Sequence, residues 1–275
     1  MNILRNIEEI RDFRASQLRS PLGFVPTMGN LHEGHLSLVR LAGRENRTVV
    51  VSVYVNPTQF NDPEDLASYP RTWEKDRMLL ESLEVDSVFL PTDEVMYPKG
   101  YSITINPGAV AARWEGEHRP GHFEGVCSVV SKLLDIVQPD VAYFGEKDYQ
   151  QLQVIRAMVG DLNLPVTIRC GPTIRETDGL ALSSRNSLLS PDERARAPRL
   201  KQALDRLRAA IGADQDAAAA LSEERSTLAA AGFQVDYLAL VDGASLEPLT
   251  APEEGARLLV AASIGVVRLI DNCAL

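Results

Sequence analysis

Residues 48–55, TVVVSVYV, constrain the fold more than any other stretch, because they are mostly β-branched and nearly continuously apolar. A strand of this kind has apolar side chains on both faces, and both faces must be covered. The usual solution is a parallel sheet with helices packed on each side. The rest of the first two-thirds agrees. An apolar strand is predicted over 22–26, followed by a helix over 34–44 with Leu36, Leu38, Val39 and Leu41 apolar. A charged helix over 74–83 leads to a strand at 86–90, and a strongly periodic helix covers 122–137. A strand at 141–144, a helix at 149–159 and a strand beginning at 166–168 complete the series. Alternation of this kind predicts βαβ units and an α/β, doubly wound parallel sheet.

The ends of the chain read differently. Residues 1–14 mix apolar positions with Arg5, Glu8, Glu9, Arg11 and Asp12, which reads as the start of an amphipathic helix and lacks the apolar run of a signal peptide. Beyond about Gly171, residues 191–210 and 217–231 are rich in Ala, Arg and Glu and read as helices. Three strands follow at 235–241, 257–262 and 266–270, separated by Gly- and Pro-bearing turns. Helices first and strands later predict a small α+β domain. The expected division is 1–173 and 174–275.

Composition narrows the function. A net charge of −10 argues against a nucleic-acid partner, since phosphate backbones are gripped by a surplus of Lys and Arg. A phosphate-bearing ligand would need a small local cluster of donors. Cys127, Cys170 and Cys273 are widely spaced and odd in number, which suggests neither a disulfide framework nor a zinc ribbon and suits a reducing cytoplasm. The longest apolar stretches, such as 49–55 and 258–262, are far too short to span a bilayer as a helix.

The most informative segment is PTMGNLHEGH at 26–35, between a predicted strand and the helix after it, where open α/β sheets bind ligands. Gly29 and Gly34 allow tight turns and close approach of backbone to a ligand. Backbone N–H groups at the helix start favour an anion. His32 and His35 are three apart, so both rings can face one side of the first turn. Two imidazoles there suit a phosphate whose charge grows in a transition state. A capped, half-buried turn is the plain alternative, and a zinc site is another, since the spacing is plausible for ligands. The pattern is not the His-Glu-x-x-His of zincins, however, and only His118 and His122 remain as further imidazoles. Three more polar clusters fall where ligand residues belong: Asn56-Pro-Thr-Gln59 and Gly145-Glu-Lys-Asp-Tyr-Gln-Gln151 directly after strands, and Ser183-Ser-Arg-Asn186 in a later loop. Lys147 and Arg185 would supply local positive charge.

These residues resemble a known set. The His-x-Gly-His segment and the later Ser-Ser-Arg loop are similar to the paired motifs of the nucleotidylyltransferase and class I aminoacyl-tRNA synthetase superfamily. Within it the chain resembles the pantothenate synthetase family more closely, over PTMGNLHEGH (26–35), VNPTQF (55–60), YPRT (69–72), RPGHF (119–123), FGEKDYQQ (144–151), DGLALSSRN (178–186) and RLIDN (268–272). The match runs in order along essentially the whole chain. Thr58 and Cys170 depart from the residues relatives often carry there.

The resemblance implies a Rossmann-like first domain, a small C-terminal lid domain that closes over the site, a homodimer, and ATP with Mg²⁺. It implies that Pro26, Thr27, Met28, Gly29, Asn30, Leu31, His32, Glu33, Gly34 and His35 line ATP, with His35 foremost in catalysis. Gly145, Glu146, Lys147 and Asp148 would also bind ATP, Lys147 through its phosphates. Ile174, Leu182, Ser183, Ser184 and Arg185 would pack on the adenine and clamp the triphosphate. Gln59 and Gln151, with Asn56 and Arg119 nearby, would hold the small acids pantoate and β-alanine. Asp76 would be the Mg²⁺ ligand, while the roles of His118 and His122 stay open. Activation of pantoate as an acyl-adenylate, followed by attack of the β-alanine amine, is the implied chemistry. Three rivals stand beside it: a nucleotidyltransferase that stops at the first step, a truncated tRNA synthetase, and a nucleotide-sensing module.

Overall fold

A computed structural model of the chain describes residues 1–17 and 20–275. Among these residues, six strands form one sheet: β1 (Asn2–Leu4), β2 (Leu22–Thr27), β3 (Thr48–Val53), β4 (Ser87–Phe89), β5 (Val141–Gly145) and β6 (Thr167–Gly171). Their order is β1-β4-β3-β2-β5-β6, and every pairing is parallel. All six positions of β3 are buried, in keeping with its nearly continuous apolar sequence. On one face Val25, Val49, Val51 and Val53 share a core with Leu36, Leu38, Val39 and Ala42 of the helix Glu33–Glu45. Strand alternation turns Phe24 and Val50 to the other face. The helix His122–Val137 packs against β2 and also against the helix Ile7–Ser16.

From β2 the chain winds outward through β3 and β4, then returns to lay β5 and β6 on the opposite side. The carboxyl ends of β2 and β5 therefore flank a topological switch point, the place where open α/β sheets bind ligands. The loop after β2 and the turn after β3 both emerge at this end.

The N-terminus departs from expectation. Residues 2–4 form an edge strand, pairing Asn2 with Ser87, Ile3 with Val88 and Leu4 with Phe89, and the helix begins only at Ile7. Asn6 caps that helix by accepting from the Glu9 N–H at 2.9 Å. Three residues carry no readable period; the open edge of β4 makes them a strand.

Contacts divide the chain into Met1–Glu146 with Val154–Pro172, and Lys147–Gln153 with Thr173–Leu275. In the second unit, β7 (Gln234–Val241), β8 (Arg257–Ile264) and β9 (Val267–Ala274) form an antiparallel sheet in the order β7-β8-β9. Leu200, Leu204, Leu207 and Ile211 make one helical stripe that shares a core with Leu258 and Val260. The stretch read as one helix over 191–210 is two, Pro191–Arg196 and Arg199–Gly212. Pro198 interrupts them, because it has no N–H to donate back and its ring crowds the carbonyl four residues earlier.

Candidate active site

The loop leaving β2 turns on two left-handed residues, Gly29 (φ 79°) and Asn30 (φ 48°). Thr27 braces its start, donating its hydroxyl to the Ser52 carbonyl at 2.7 Å and accepting from the Gly29 N–H at 3.2 Å. Asp76, in the helix Trp73–Ser82, braces its end. One carboxylate oxygen accepts the Asn30 N–H and the other the Leu31 N–H, both at 2.8 Å. The Thr72 hydroxyl adds a third donor at 3.1 Å.

His32 then caps the helix Glu33–Glu45, its Nδ1 accepting the Gly34 N–H at 3.2 Å. His35 reaches back, its Nδ1 accepting the His32 N–H at 3.4 Å. This is a capping box in which imidazoles replace the usual hydroxyl and carboxylate. The ring centroids lie 4.1 Å apart, so the spacing does place both rings together. With Nδ1 accepting, each neutral ring carries its proton on Nε2. Glu33, one residue on, is exposed and paired with Arg40, which holds its carboxyl below the usual range.

The turn after β3 presents Gln59. Asn56 is almost wholly buried, and its amide donates to the Gln59 side-chain oxygen and to the Gly125 carbonyl, each at 3.1 Å. The Asn56 oxygen accepts the Tyr97 hydroxyl at 2.8 Å. These bonds fix the Gln59 amide with oxygen toward Asn56 and nitrogen toward Met28, whose sulfur lies 2.9 Å away. The turn is also held by its main chain, since the Gln59 carbonyl meets His122 Nδ1 at 2.8 Å. A carbonyl can only accept, so Nδ1 carries the proton and Nε2 accepts from Arg119 at 3.1 Å. Met28, Asn56, Gln59 and Arg119 are thus linked through their own contacts, while His118 is exposed on a short helix. Tyr97, Thr72 and His122 are the contributors that sequence reasoning missed or left open. No local pattern marks Tyr97; Thr72 lies in the YPRT match and His122 in the RPGHF match, neither of which gave the residue a role.

In the second unit, the Lys147 segment is tied to the C-terminal sheet. The Asn272 amide donates to the Lys147 carbonyl at 3.0 Å and accepts from Arg257, whose guanidinium stacks 3.8 Å over the Tyr149 ring. The Tyr149 hydroxyl donates to the Gly243 carbonyl at 2.7 Å. Lys147 Nζ lies 3.5 Å from the neighbouring Asp148 carboxylate, and Gln151 is half-buried in the first turn of the helix Tyr149–Asp161. Ile174 and Leu182 are paired across a small hairpin through the Leu182 N–H and the Ile174 carbonyl, at 2.9 Å. Arg175 secures that hairpin with a bidentate bond to the buried Asp271, at 2.6 and 2.8 Å. Ser183 caps the turn Ser184–Leu188, accepting the Arg185 N–H at 3.3 Å.

The donor chemistry does not fit a magnesium ion held by Asp76. Its two oxygens already receive three N–H or O–H donors, and the side chain has no exposure. Among the described residues no group of three or more His, Cys, Asp or Glu side chains could hold a metal.

Residues 2–274 match the family model described as pantoate-beta-alanine ligase. The chain is 52% identical over 277 residues to the pantothenate synthetase of Acidiphilium cryptum, covering 100% of both chains. It superposes on a crystal structure of pantothenate synthetase from Thermus thermophilus with a TM-score of 0.94, at 49% identity over 99% of each chain. A pantoate-beta-alanine ligase from Francisella tularensis, solved in complex with beta-gamma ATP and beta-alanine, matches at TM-score 0.85 and 39% identity, covering 100% of this chain and 97% of that one.

Proposed function

We propose that this chain, which belongs to the pantoate–β-alanine ligase family, joins pantoate to β-alanine at the expense of ATP, by way of pantoyl adenylate. A carboxylate oxygen of pantoate attacks the α-phosphorus of ATP, and the bond to the β-phosphate oxygen breaks to release pyrophosphate. The amine of β-alanine then attacks the acyl carbon of the mixed anhydride. The bond to the adenylate oxygen breaks, AMP leaves, and the amine gives up a proton as the amide forms. Neither displacement requires a protein nucleophile; both require placement and neutralisation of charge.

Each residue set has a part in this reading. The segment Pro26 to His35 receives the nucleotide, with the Nε2–H groups of His32 and His35 donating to phosphate oxygens. Gly145, Glu146, Lys147 and Asp148 contact ATP, and Lys147 and Arg185 supply local positive charge in a chain whose net charge is −10. Ile174, Leu182, Ser183 and Ser184 receive the adenine and the phosphate tail. Gln59 and Gln151 hold the pantoate hydroxyls and carboxylate, Asn56 sets the Gln59 amide, and Arg119 meets a substrate carboxylate. Mg²⁺ accompanies ATP in this reading and would supply neutralisation of phosphate charge, and no step runs through Asp76. The active form is a homodimer of the cytoplasm. Among the described residues no helix is long and apolar enough to cross a membrane.

One observation carries the reading: the glycine loop that opens the helix Glu33–Glu45 and a fixed amide, Gln59, leave adjacent parallel strands at the same end of the sheet. That end lies beside the switch point, where such sheets take a nucleotide and its co-substrate. The decisive assay follows AMP and pyrophosphate release from ATP with pantoate, with and without β-alanine. AMP release that needs both acids is expected. Pyrophosphate release that ignores β-alanine would reassign the acceptor, and none with pantoate would discard the substrate. Gln59→Ala should raise the pantoate KM by about tenfold to a hundredfold, the worth of one buried hydrogen-bond set. An unchanged KM would remove Gln59 from the site.

A further inference from the structure

From the contacts of its carboxylate we infer that Asp76 is a positioning residue, which shapes the nucleotide loop through two backbone N–H groups and does not ligate magnesium. The inference rests on reading 26–35 as the nucleotide segment. Its starting point is burial: the Asp76 side chain has no exposure, and among the described residues no group of three or more His, Cys, Asp or Glu side chains could hold a metal. A charged group in that position persists only if its oxygens are well supplied with donors. They are. Oδ2 receives the Asn30 N–H and the Thr72 hydroxyl, and Oδ1 receives the Leu31 N–H.

The donors at these oxygens stand against a cation there. Magnesium demands near-octahedral oxygens at about 2.1 Å and keeps several waters. The loop packs closely on the carboxylate: a Cβ built on Gly29 would lie 3.1 Å from Asp76 Oδ2 and 3.1 Å from a Val53 methyl. The donors around it are N–H and O–H groups with their positive ends turned inward, the opposite of what a cation requires.

The contacts also explain why the loop has this shape. Gly29 and Asn30 are consecutive left-handed residues, and asparagine is among the few non-glycine types that tolerate this conformation. Successive N–H groups at such a turn converge on one side, and a single carboxylate can take both. Asp76 is itself anchored, its own N–H donating to the Thr72 carbonyl at 2.9 Å at the start of the helix Trp73–Ser82. The Asn30 and Leu31 N–H groups are therefore occupied inside the protein. Phosphate contact falls to the groups that follow, the start of the helix Glu33–Glu45 and the two imidazoles. Asp76 acts on the reaction only by placing them.

The test compares wild type with Asp76→Asn and Thr72→Val, each first checked for a cooperative thermal transition. Asn keeps one acceptor but turns an amide N–H against a backbone N–H; Val removes only the hydroxyl donor and keeps the carboxylate. Amide hydrogen exchange, read by NMR without nucleotide, should show Asn30 and Leu31 protected in wild type, and still protected when Mg²⁺ and ATP are added. Both variants should exchange faster at these two positions, Asp76→Asn more so. ATP and AMP binding measured by calorimetry in EDTA should weaken by about tenfold in Asp76→Asn. The Mg²⁺ concentration for half-maximal rate at saturating ATP should move by less than about threefold. The inference is overturned if Mg²⁺ with ATP releases the two amides. It is equally overturned if metal-free binding is unchanged while the Mg²⁺ requirement rises about tenfold, the signature of a lost ligand. If Asp76→Asn does not fold, Thr72→Val carries the same comparison. A wild type that binds no adenine nucleotide would instead reject the nucleotide reading, and the exchange data would still judge what Asp76 holds.

Discussion

At the scale of single residues, the proposed pantoate side of the site is governed by which atom of each group carries a proton. Gln59 is an orienter only if its amide faces one way, and Asn56 decides that by donating to its oxygen. His122 decides the placement of the same residue's main chain, with Nδ1–H on the Gln59 carbonyl and Nε2 accepting from Arg119. Replacing His122 by Asn puts an amide N–H near the Nδ1 position; replacing it by Gln puts one near Nε2. His122→Asn should therefore keep the pantoate KM within about threefold of wild type, while His122→Gln should raise it about tenfold or more. Steady-state kinetics on the two variants, with the ATP KM as the internal control, decides the matter. Equal losses in both would mean that the ring serves by bulk alone. In the second unit Asn272 joins the Arg257 side chain to the Lys147 carbonyl, which gives the closing Arg-Leu-Ile-Asp-Asn segment a physical task.

At the scale of elements, the helix His122–Val137 shows how a glycine can be set by packing where the helical period gives no hint. Gly125 lies inside a largely buried helix, where glycine costs roughly 1 kcal/mol relative to alanine. A Cβ there would collide with the Thr58 carbonyl and the Gln59 Cα, so glycine is what lets the helix lie directly against the turn that carries Gln59. Its own carbonyl accepts from Asn56. Gly125→Ala should push helix and turn apart, costing about 1–3 kcal/mol of stability as an overpacked contact. The variant should melt at lower temperature and bind pantoate less tightly, with the ATP KM little changed. A rise in melting temperature, the result expected from helix propensity alone, would show that the contact relaxes freely. The break at Pro198 carries a related lesson, because residues 191–210 keep a helical composition across a residue that cannot continue a helix.

At the scale of the whole molecule, stability should fall at high pH through buried tyrosines. Tyr143 is fully buried in β5, donating its hydroxyl to Glu45 at 2.9 Å and accepting from Asn46 at 2.6 Å. Burial, reinforced by the Glu45 hydrogen bond, pushes its pKa up to about 12 from 10.0. Between those values the unfolded chain gives up the proton and the folded chain keeps it. The folded state then binds more protons, and stability falls as pH rises. The contribution is complete below pH 10.0 and fades toward 12. Burial likewise raises Tyr54 and Tyr97, so they act with the same sign. Tyr143→Phe should lose about 1–2 kcal/mol near neutrality, where Asn46 forfeits a partner, and should then decline less steeply above pH 10. Urea denaturation across the alkaline range measures the difference; parallel curves would mean that Tyr143 does not titrate with unfolding. The same scale separates what the sequence by itself determined from what tertiary structure decided. The buried strand at 48–55, the helices with an apolar stripe and the polar clusters after strands were legible, because period and residue type are local properties. The family was legible too, from motifs in order along the chain. The strand identity of Asn2–Leu4 was not, since it exists only against β4. Nor were the bonds from Asp76 to Leu31, 45 positions away, from His122 to Gln59, 63 away, or from Asn272 to Lys147, 125 away. Pairings at such separations leave no periodic trace, and they arise only when packing brings a buried donor and acceptor into reach, where neither can be left unpaired.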